Sequence, residues 1–458
     1  MRKVAFHNLG CKVNAYETEA MIEQFVEEGY ELVPFEETAD LYIVNTCSVT
    51  NMADRKSRQM LHRARKKNPE ALVVAVGCYV QTAPAEVLAD LGLDLVVGNE
   101  RKGQVLELVR ELMDFRWKDD EEERLAHRNQ ITDINKPHEY EEMSMRTVTE
   151  HTRAFIKVED GCNQFCSYCI IPYARGRIRS RKPEAVLAEI QALTEKGLRE
   201  FVLTGIHLSS YGVDFVPPEE KKKEVPFYGK PGLLDLVRMV AELPGVDRIR
   251  LGSLEPRIVT EEFASELAKI KKVCPHFHLS LQSGCNTVLK RMNRHYTAEE
   301  YFEKCELLRK YFDNPAITTD VIVGFPGETE EEFETTYAFL KQVGFYEMHV
   351  FKYSRRKGTV ADRMDGQVPE PVKTERSAKL LLLAEEMSAA YRRNHQGKSC
   401  ELLTEESAEI GGKTYMVGFT REYIRAAIEG EAEPNQIVRG RLGEFVDTVT
   451  CVLASDKE

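Results

Sequence analysis

Three short apolar segments near the N-terminus each run into a cysteine: NLGC at Cys11, VNTC at Cys47 and AVGC at Cys78. Their spacing is close to one βαβ unit, ~30 residues. Amphipathic helical patterns over 16–28 and 52–67 fill the intervals. Strand–helix–strand alternation dictates a parallel sheet, because parallel neighbours need a crossover connection. In such a sheet the carboxyl ends of the strands share one edge, where ligands bind. Three thiols on three turns can therefore converge on one metal cluster. The plain alternative is three small buried cysteines, a common fate of this residue. Residues 1–113 are thus expected to form a Rossmann-like parallel-sheet domain. Residues 114–147 are charged, lack an apolar period and read as a linker.

The alternation resumes over 148–390. Six strand segments (AFIKVED, EFVLTGI, RIRLGS, HFHLSLQ, ITTDVIVGF, YEMHVFKYS) are separated by helical stretches. Six βα units predict a partial (β/α)6 barrel rather than a full eightfold one. Directly after the first strand comes DGCNQFCSYC, which sets Cys162, Cys166 and Cys169 in one loop. Three thiolates so spaced can hold three irons of a 4Fe-4S cluster and leave the fourth open to a small chelating molecule. Zinc is the alternative, but structural zinc usually takes four ligands in two pairs, and no second pair lies nearby. After a helix over 373–394, residues 394–457 alternate short strands with glycine turns. They predict a small antiparallel barrel.

The N-terminus has no apolar signal segment and no apolar run reaches the ~18 residues of a membrane span. A cytoplasmic protein without membrane contact is expected, and there motif-spaced cysteines serve as ligands rather than disulfides. The formal net charge is −12, which argues against nucleic acid if charge is averaged over the chain. Basic residues nevertheless cluster. Arg55, Lys56, Arg58 and Arg63 open one run, and Arg175, Arg177, Arg179 and Arg181 form another. Either run can be a solvated face or a phosphate-binding patch. In the last segment Tyr423 and Arg421 belong to an aromatic–arginine alternation that suits stacking on unpaired bases or plain core packing.

Taken together, LGCKVN, NTCSVT, GCYVQ, CNQFCSYC, LTGIHLSSYG, SLEP, HLSLQSGCNTVLKRMNR and DVIVGFPGET occur in order along nearly the whole chain. The chain resembles the radical S-adenosylmethionine methylthiotransferases. GCKVN with LTGIHL is most similar to the branch acting on threonylcarbamoyladenosine beside the tRNA anticodon. The resemblance implies an auxiliary 4Fe-4S cluster on Cys11, Cys47 and Cys78. It implies a second, S-adenosylmethionine-cleaving cluster on Cys162, Cys166 and Cys169. A C-terminal TRAM domain would contact RNA.

The resemblance also places cofactor contacts at the strand ends. Thr204 and Gly205 would meet the methionine amino group, and Ser253 and Glu255 the ribose or amino group. Gln282 and Gly324 would line the adenosine, Tyr168 would pack near the adenine, and Arg175 or Arg177 would neutralise the carboxylate. Ordinary barrel packing is the alternative for each. The implied reaction moves a methylthio group to C2 of the adenine, consumes two S-adenosylmethionine molecules and needs a flavodoxin- or ferredoxin-like electron donor. The sulfur donor cannot be read from the residues. Sister branches act on isopentenyladenosine or on an aspartate of a ribosomal protein. Readings of other classes are a zinc-containing RNA-binding protein without catalysis and a two-cluster electron carrier.

Overall fold

The computed structural model describes residues 2–115, 127–136, 138–146, 152–222, 225–448 and 450–455. The first sheet contains β1 (Lys3–Asn8), β2 (Glu31–Leu32), β3 (Leu41–Thr46), β4 (Leu72–Gly77), β5 (Leu95–Val97) and β6 (Asn129–Gln130). Its order is β2-β1-β3-β4-β5-β6, and every pairing is parallel. β3 and β4 are buried at every position, as apolar runs covered on both faces must be. Helices Lys12–Glu27 and Val105–Phe115 pack on one face, and helix Asn51–Lys67 on the other. β6 lies inside the segment expected as a linker, so part of that segment extends the sheet. Residues 116–126, 137 and 147 of the expected linker, and the expected boundary at 148, lie outside the described residues.

The central region contains β7 (Arg153–Asp160), β8 (Arg179–Ser180), β9 (Glu200–Gly205), β10 (Arg248–Leu251), β11 (His276–His278), β12 (Ala316–Val323) and β13 (Glu347–Lys352). β7, β9 and β10 pair in parallel, as do β11, β12 and β13, while β8 runs antiparallel to β7. Single parallel bridges, Ile249 to Val273 and Leu254 to Leu279, stitch the two sheets together. The six expected strands are all present, in an open parallel array. One set of alternate residues, such as Ile156, Phe201, Ile249 and Phe277, enters the main core beneath the helices. The other set, including Phe155, Arg250, His276 and Asp320, turns to the concave side, because strand side chains alternate.

The last region contains β14 (Ser399–Ile410), β15 (Lys413–Thr420), β16 (Arg425–Glu429), β17 (Ile437–Phe445) and β18 (Cys451–Ser455), ordered β14-β15-β16-β18-β17 with β14 paired to β17. The expected all-antiparallel pattern is corrected at one seam, where β16 and β18 are parallel. Five strands in a ring cannot alternate direction all the way round, so one parallel pair is unavoidable.

The same region corrects the RNA-contact expectation for Arg421 and Tyr423. Tyr423 stacks between His276 at 4.7 Å and Phe419 at 4.5 Å, with Arg250 4.8 Å from its ring centroid. Arg421 donates to the carbonyls of Lys271 and Val273 at 2.6 and 2.8 Å. Both residues join the C-terminal strands to the central region, and their faces are taken.

Candidate cluster-binding site

In the first sheet β1 is flanked by β2 and β3, so the chain reverses its winding between them. The crevice of such a sheet opens at that switch point, outside the carboxyl ends of the strands. Cys11 follows β1 and caps helix Lys12–Glu27, Cys47 follows β3, and Cys78 begins the short helix after β4. Two glycines let these turns close on one another. Gly10 has φ +115°, and a Cβ there would sit 3.0 Å from both Cβ and Sγ of Cys47. Gly77 has φ +99°, and a Cβ would meet the Thr46 carbonyl at 2.8 Å. Asn14 ties the first two turns by donating to the carbonyls of Leu9 at 2.7 Å and Thr46 at 3.1 Å. Burial pushes the Cys47 thiol up to about 11, and the Cys78 and Cys11 sulfurs act in the same direction.

Cys162, Cys166 and Cys169 lie in the loop after β7. The loop is closed by backbone bonds from Cys162 to Gly176 and from Cys169 to Cys166, both 3.0 Å. Arg294 donates to Cys166 Sγ at 3.1 Å. Burial, then the Cys166 sulfur, pushes Cys169 up to about 12, and burial raises Cys162 also. Thiols raised in this way, as at Cys47, Cys162 and Cys169, make poor isolated thiolates but suit a shared cation, which displaces the protons on binding. Each triad thus fits a cluster with one iron left without a protein ligand.

Two contacts join the triads. The Asn99 amide donates to the Ala174 carbonyl at 2.7 Å and stands 3.6 Å from Cys78 Sγ. Arg175 is completely buried and donates to Glu17 at 2.9 Å, Asp160 at 3.0 Å and Asn14 at 2.6 Å. This corrects the expectation that Arg175 meets a cofactor carboxylate, since its guanidinium is committed to two protein carboxylates. Of the second basic run only Arg177 is exposed, its guanidinium 4.4 Å from the Phe165 ring centroid, while the other three are buried. Arg179 pairs with Glu100, and Arg181 pairs with Glu189 and Glu142.

The other expected cofactor contacts fall as follows. Thr204 is buried, and Gly205 packs against Glu159, whose Oε2 a Cβ would meet at 2.7 Å. Ser253 is exposed just past β10. Glu255 is buried and accepts from the Arg257 side chain at 2.7 Å. Gln282 sits at φ +74° and joins the end of β12 through Asp320 and Ile322. Tyr168 packs edge-on against Phe325 at 6.3 Å, in an apolar cluster with Met292 and Tyr353. Gly324 is corrected: its missing Cβ leaves space for the Lys373 side chain, which a Cβ would meet at 2.3 Å, not for a ligand. On helix Asn51–Lys67, Arg55, Lys56 and Arg63 are exposed, while Arg58 donates to the Tyr79 hydroxyl at 3.3 Å.

Four residues beyond the expected set border the triads: Arg294, Asn99, Glu159 and His207. Glu159 is fully buried and accepts from the His207 N–H at 2.7 Å through Oε2, and among the described residues its Oε1 has no partner. Burial holds its carboxyl well above the usual range. Burial and the cations Arg294 and Arg257 lower His207 to about 3, so its ring is neutral. Arg294 ends the stretch HLSLQSGCNTVLKRMNR, and Glu159 stands directly before the cysteine loop. Neither carries a spacing that reveals what it faces.

Residues 156–340 match the Radical SAM superfamily, and residues 3–98 match an uncharacterized protein family, UPF0004. The chain is 43% identical over 431 residues to the threonylcarbamoyladenosine tRNA methylthiotransferase MtaB of Bacillus subtilis, covering 94% of this chain and 91% of that one. It is 36% identical to a tRNA-2-methylthio-N(6)-dimethylallyladenosine synthase of Caldicellulosiruptor saccharolyticus, covering 86% of this chain and 80% of that one. In fold it is similar to the radical S-adenosylmethionine methyltransferase TsrM of Kitasatospora setae, with TM-score 0.54 and 17% identity over 79% of this chain and 77% of that one.

Proposed function

The chain belongs to the radical S-adenosylmethionine tRNA methylthiotransferases, and from that premise we propose how its residues divide the work. It is an enzyme that uses S-adenosylmethionine and iron–sulfur chemistry to methylthiolate a modified adenosine near the anticodon of tRNA. The finer reading is that the base is threonylcarbamoyladenosine and that C2 is the carbon modified. The observation that supports this division is the Asn99 bridge. One amide touches Cys78 Sγ and the carbonyl of Ala174, five residues past Cys169, so the two thiol triads are built as neighbours.

In this reading Cys162, Cys166 and Cys169 hold one cluster, and Cys11, Cys47 and Cys78 the other. When bound, the clusters supply reductive cleavage of the S-adenosylmethionine sulfonium and a seat for the transferred sulfur. The protein supplies orientation. Glu159, whose Oε2 lies beside Gly205 and whose Oε1 has no partner among the described residues, is the acceptor for the methionine ammonium, which would draw its proton off and satisfy the buried atom. Tyr168 walls the adenine side. Arg55, Lys56 and Arg63 offer cations to tRNA phosphates. The C-terminal ring acts as a TRAM domain through surfaces other than Arg421 and Tyr423. A flavodoxin- or ferredoxin-like protein delivers the electrons. The domains are 1–113, 148–390 and 394–457.

Nucleoside mass spectrometry of tRNA from cells with and without the gene tests the function: 2-methylthio-threonylcarbamoyladenosine should vanish in its absence, and an unchanged profile overturns the assignment. Cys47→Ala separates the triads. The variant should keep reductive cleavage of S-adenosylmethionine and about half of the bound iron, yet form no methylthiolated RNA. Glu159→Gln should raise the KM for S-adenosylmethionine about tenfold or more, measured as 5′-deoxyadenosine formation. An unchanged KM removes Glu159 from the site.

A further inference from the structure

Lys12 follows Cys11 directly and reaches across the concave side of the central strands, its Nζ 5.8 Å from the Phe155 ring centroid. Its charged neighbours there are Arg153 and Arg250, and it shares with them the surroundings of His276. Those two arginines are already paired, Arg250 with Glu200 at 2.7 Å and Arg153 with Glu405. Asp320, an acid farther along the concave side, belongs to His278 at 3.3 Å. Among the described residues no carboxylate lies within ion-pair distance of Lys12. The ammonium of this exposed residue stands over an aromatic ring and among other cations, and among the described residues it has no anion beside it.

We infer that Lys12 binds the carboxylate of the N6 substituent of the target adenosine and so selects a threonylcarbamoyl over an isopentenyl group. The inference rests on the reading above and adds its specificity element. In adenine, C2 and C6 both flank N1, so the substituent on N6 leaves from the same edge as the carbon that receives sulfur. A residue adjacent in the chain to a ligand of the sulfur-bearing triad is therefore placed to meet it. S-Adenosylmethionine also carries a carboxylate, but its site follows Asp160. Phe155, beneath Lys12, lies five residues earlier, roughly 16 Å along an extended strand. An isopentenyl group would leave the ammonium without its anion, whereas a threonylcarbamoyl group forms a charge-assisted hydrogen bond with it.

The test uses the full-length, iron-loaded enzyme and anticodon stem-loops bearing either threonylcarbamoyladenosine or its carboxamide. For the wild type, kcat/KM should fall about 10- to 100-fold on the amide. Lys12→Met should lose a similar factor on the acid and almost nothing further on the amide. Lys12→Arg should recover part of the loss. The KM for S-adenosylmethionine should stay constant throughout, and a rise in it would assign Lys12 to the cofactor instead and overturn the inference. Equal turnover of acid and amide by the wild type also overturns it, and this arm holds even if the variant assembles iron poorly. A wild type inactive on both stem-loops sinks the substrate reading itself.

Discussion

Cys162→Ala is expected to reduce both 5′-deoxyadenosine formation and methylthiolated product to assay background, while the protein stays folded and still binds tRNA. Apart from the Gln164 N–H bond to the Cys162 sulfur at 3.5 Å, the loop does not depend on the thiol for its shape, because the backbone bond from Cys162 to Gly176 survives the substitution. The neighbouring wall, with Ser167 bonded to Arg291 and Arg294 to the Ser280 carbonyl, is equally independent of it. What is lost is one of three thiolates that a site-differentiated cluster requires, and no other cysteine of the loop can substitute. About half of the iron should go with it. The measurement is iron content together with product analysis by mass spectrometry, and residual 5′-deoxyadenosine at the wild-type rate would end the assignment of this triad. Set beside Cys47→Ala, the two variants should fail at different steps, one before and one after cleavage of S-adenosylmethionine.

Arg175→Met should give the largest loss of stability of any conservative change at the junction between the triads. Arg175 is the group that contacts Glu17, Asp160 and Asn14 together. Removing one partner of a buried ionic network leaves charge unpaired and costs about 3–5 kcal/mol. Lys157, 2.7 Å from both carboxylates, and Lys102, paired with Glu17, keep the value toward the lower end. Denaturant unfolding reads this directly, and a loss below about 1 kcal/mol would deny the network its role. The positioning role needs a separate readout. The distance distribution between the two reduced clusters, from pulsed electron paramagnetic resonance, should broaden in Arg175→Met and narrow again in Arg175→Lys.

The same network sets an acid limit. Burial would raise the pKa of Glu17 and Asp160, but Arg175 and its lysine neighbours outweigh it and hold both below the ordinary carboxylate range. A carboxylate lowered on folding contributes stability that is complete above its unfolded pKa, ~4, and is lost as pH falls through the folded value. The wild type should therefore keep its near-ultraviolet dichroism down to about pH 4. In Arg175→Met the carboxylates lose their strongest partner, so the acid transition should move upward.

Six βα units, the strand-end cysteines and the cysteine loop were all legible in the sequence, because each rests on periodicity and spacing within a few dozen residues. Strand alternation fixes which residues share a face wherever the chain pairs, and the turn after a parallel strand falls on one edge whatever the rest of the molecule does. From the sequence Arg175 reads as a cofactor contact, because a basic residue near a cluster loop has two equally good uses. Which one it takes depends on Glu17, 158 positions away. Arg421 and Tyr423 were misread for the same reason: an aromatic–arginine alternation serves RNA or a neighbouring domain equally well, and His276 and Val273 decide.

Spacing offers two triads of thiols as metal ligands, the loop triad by itself and the strand-end triad only beside it, since ligand geometry is local chemistry. Only the tertiary structure decided that they are neighbours, that Glu159 is a buried acid whose Oε1 has no partner among the described residues, and that Lys12 faces the concave side of the strands with no carboxylate paired to it among those residues. Those facts are sums over residues distant in the chain, and desolvation and charge act through space rather than along the sequence.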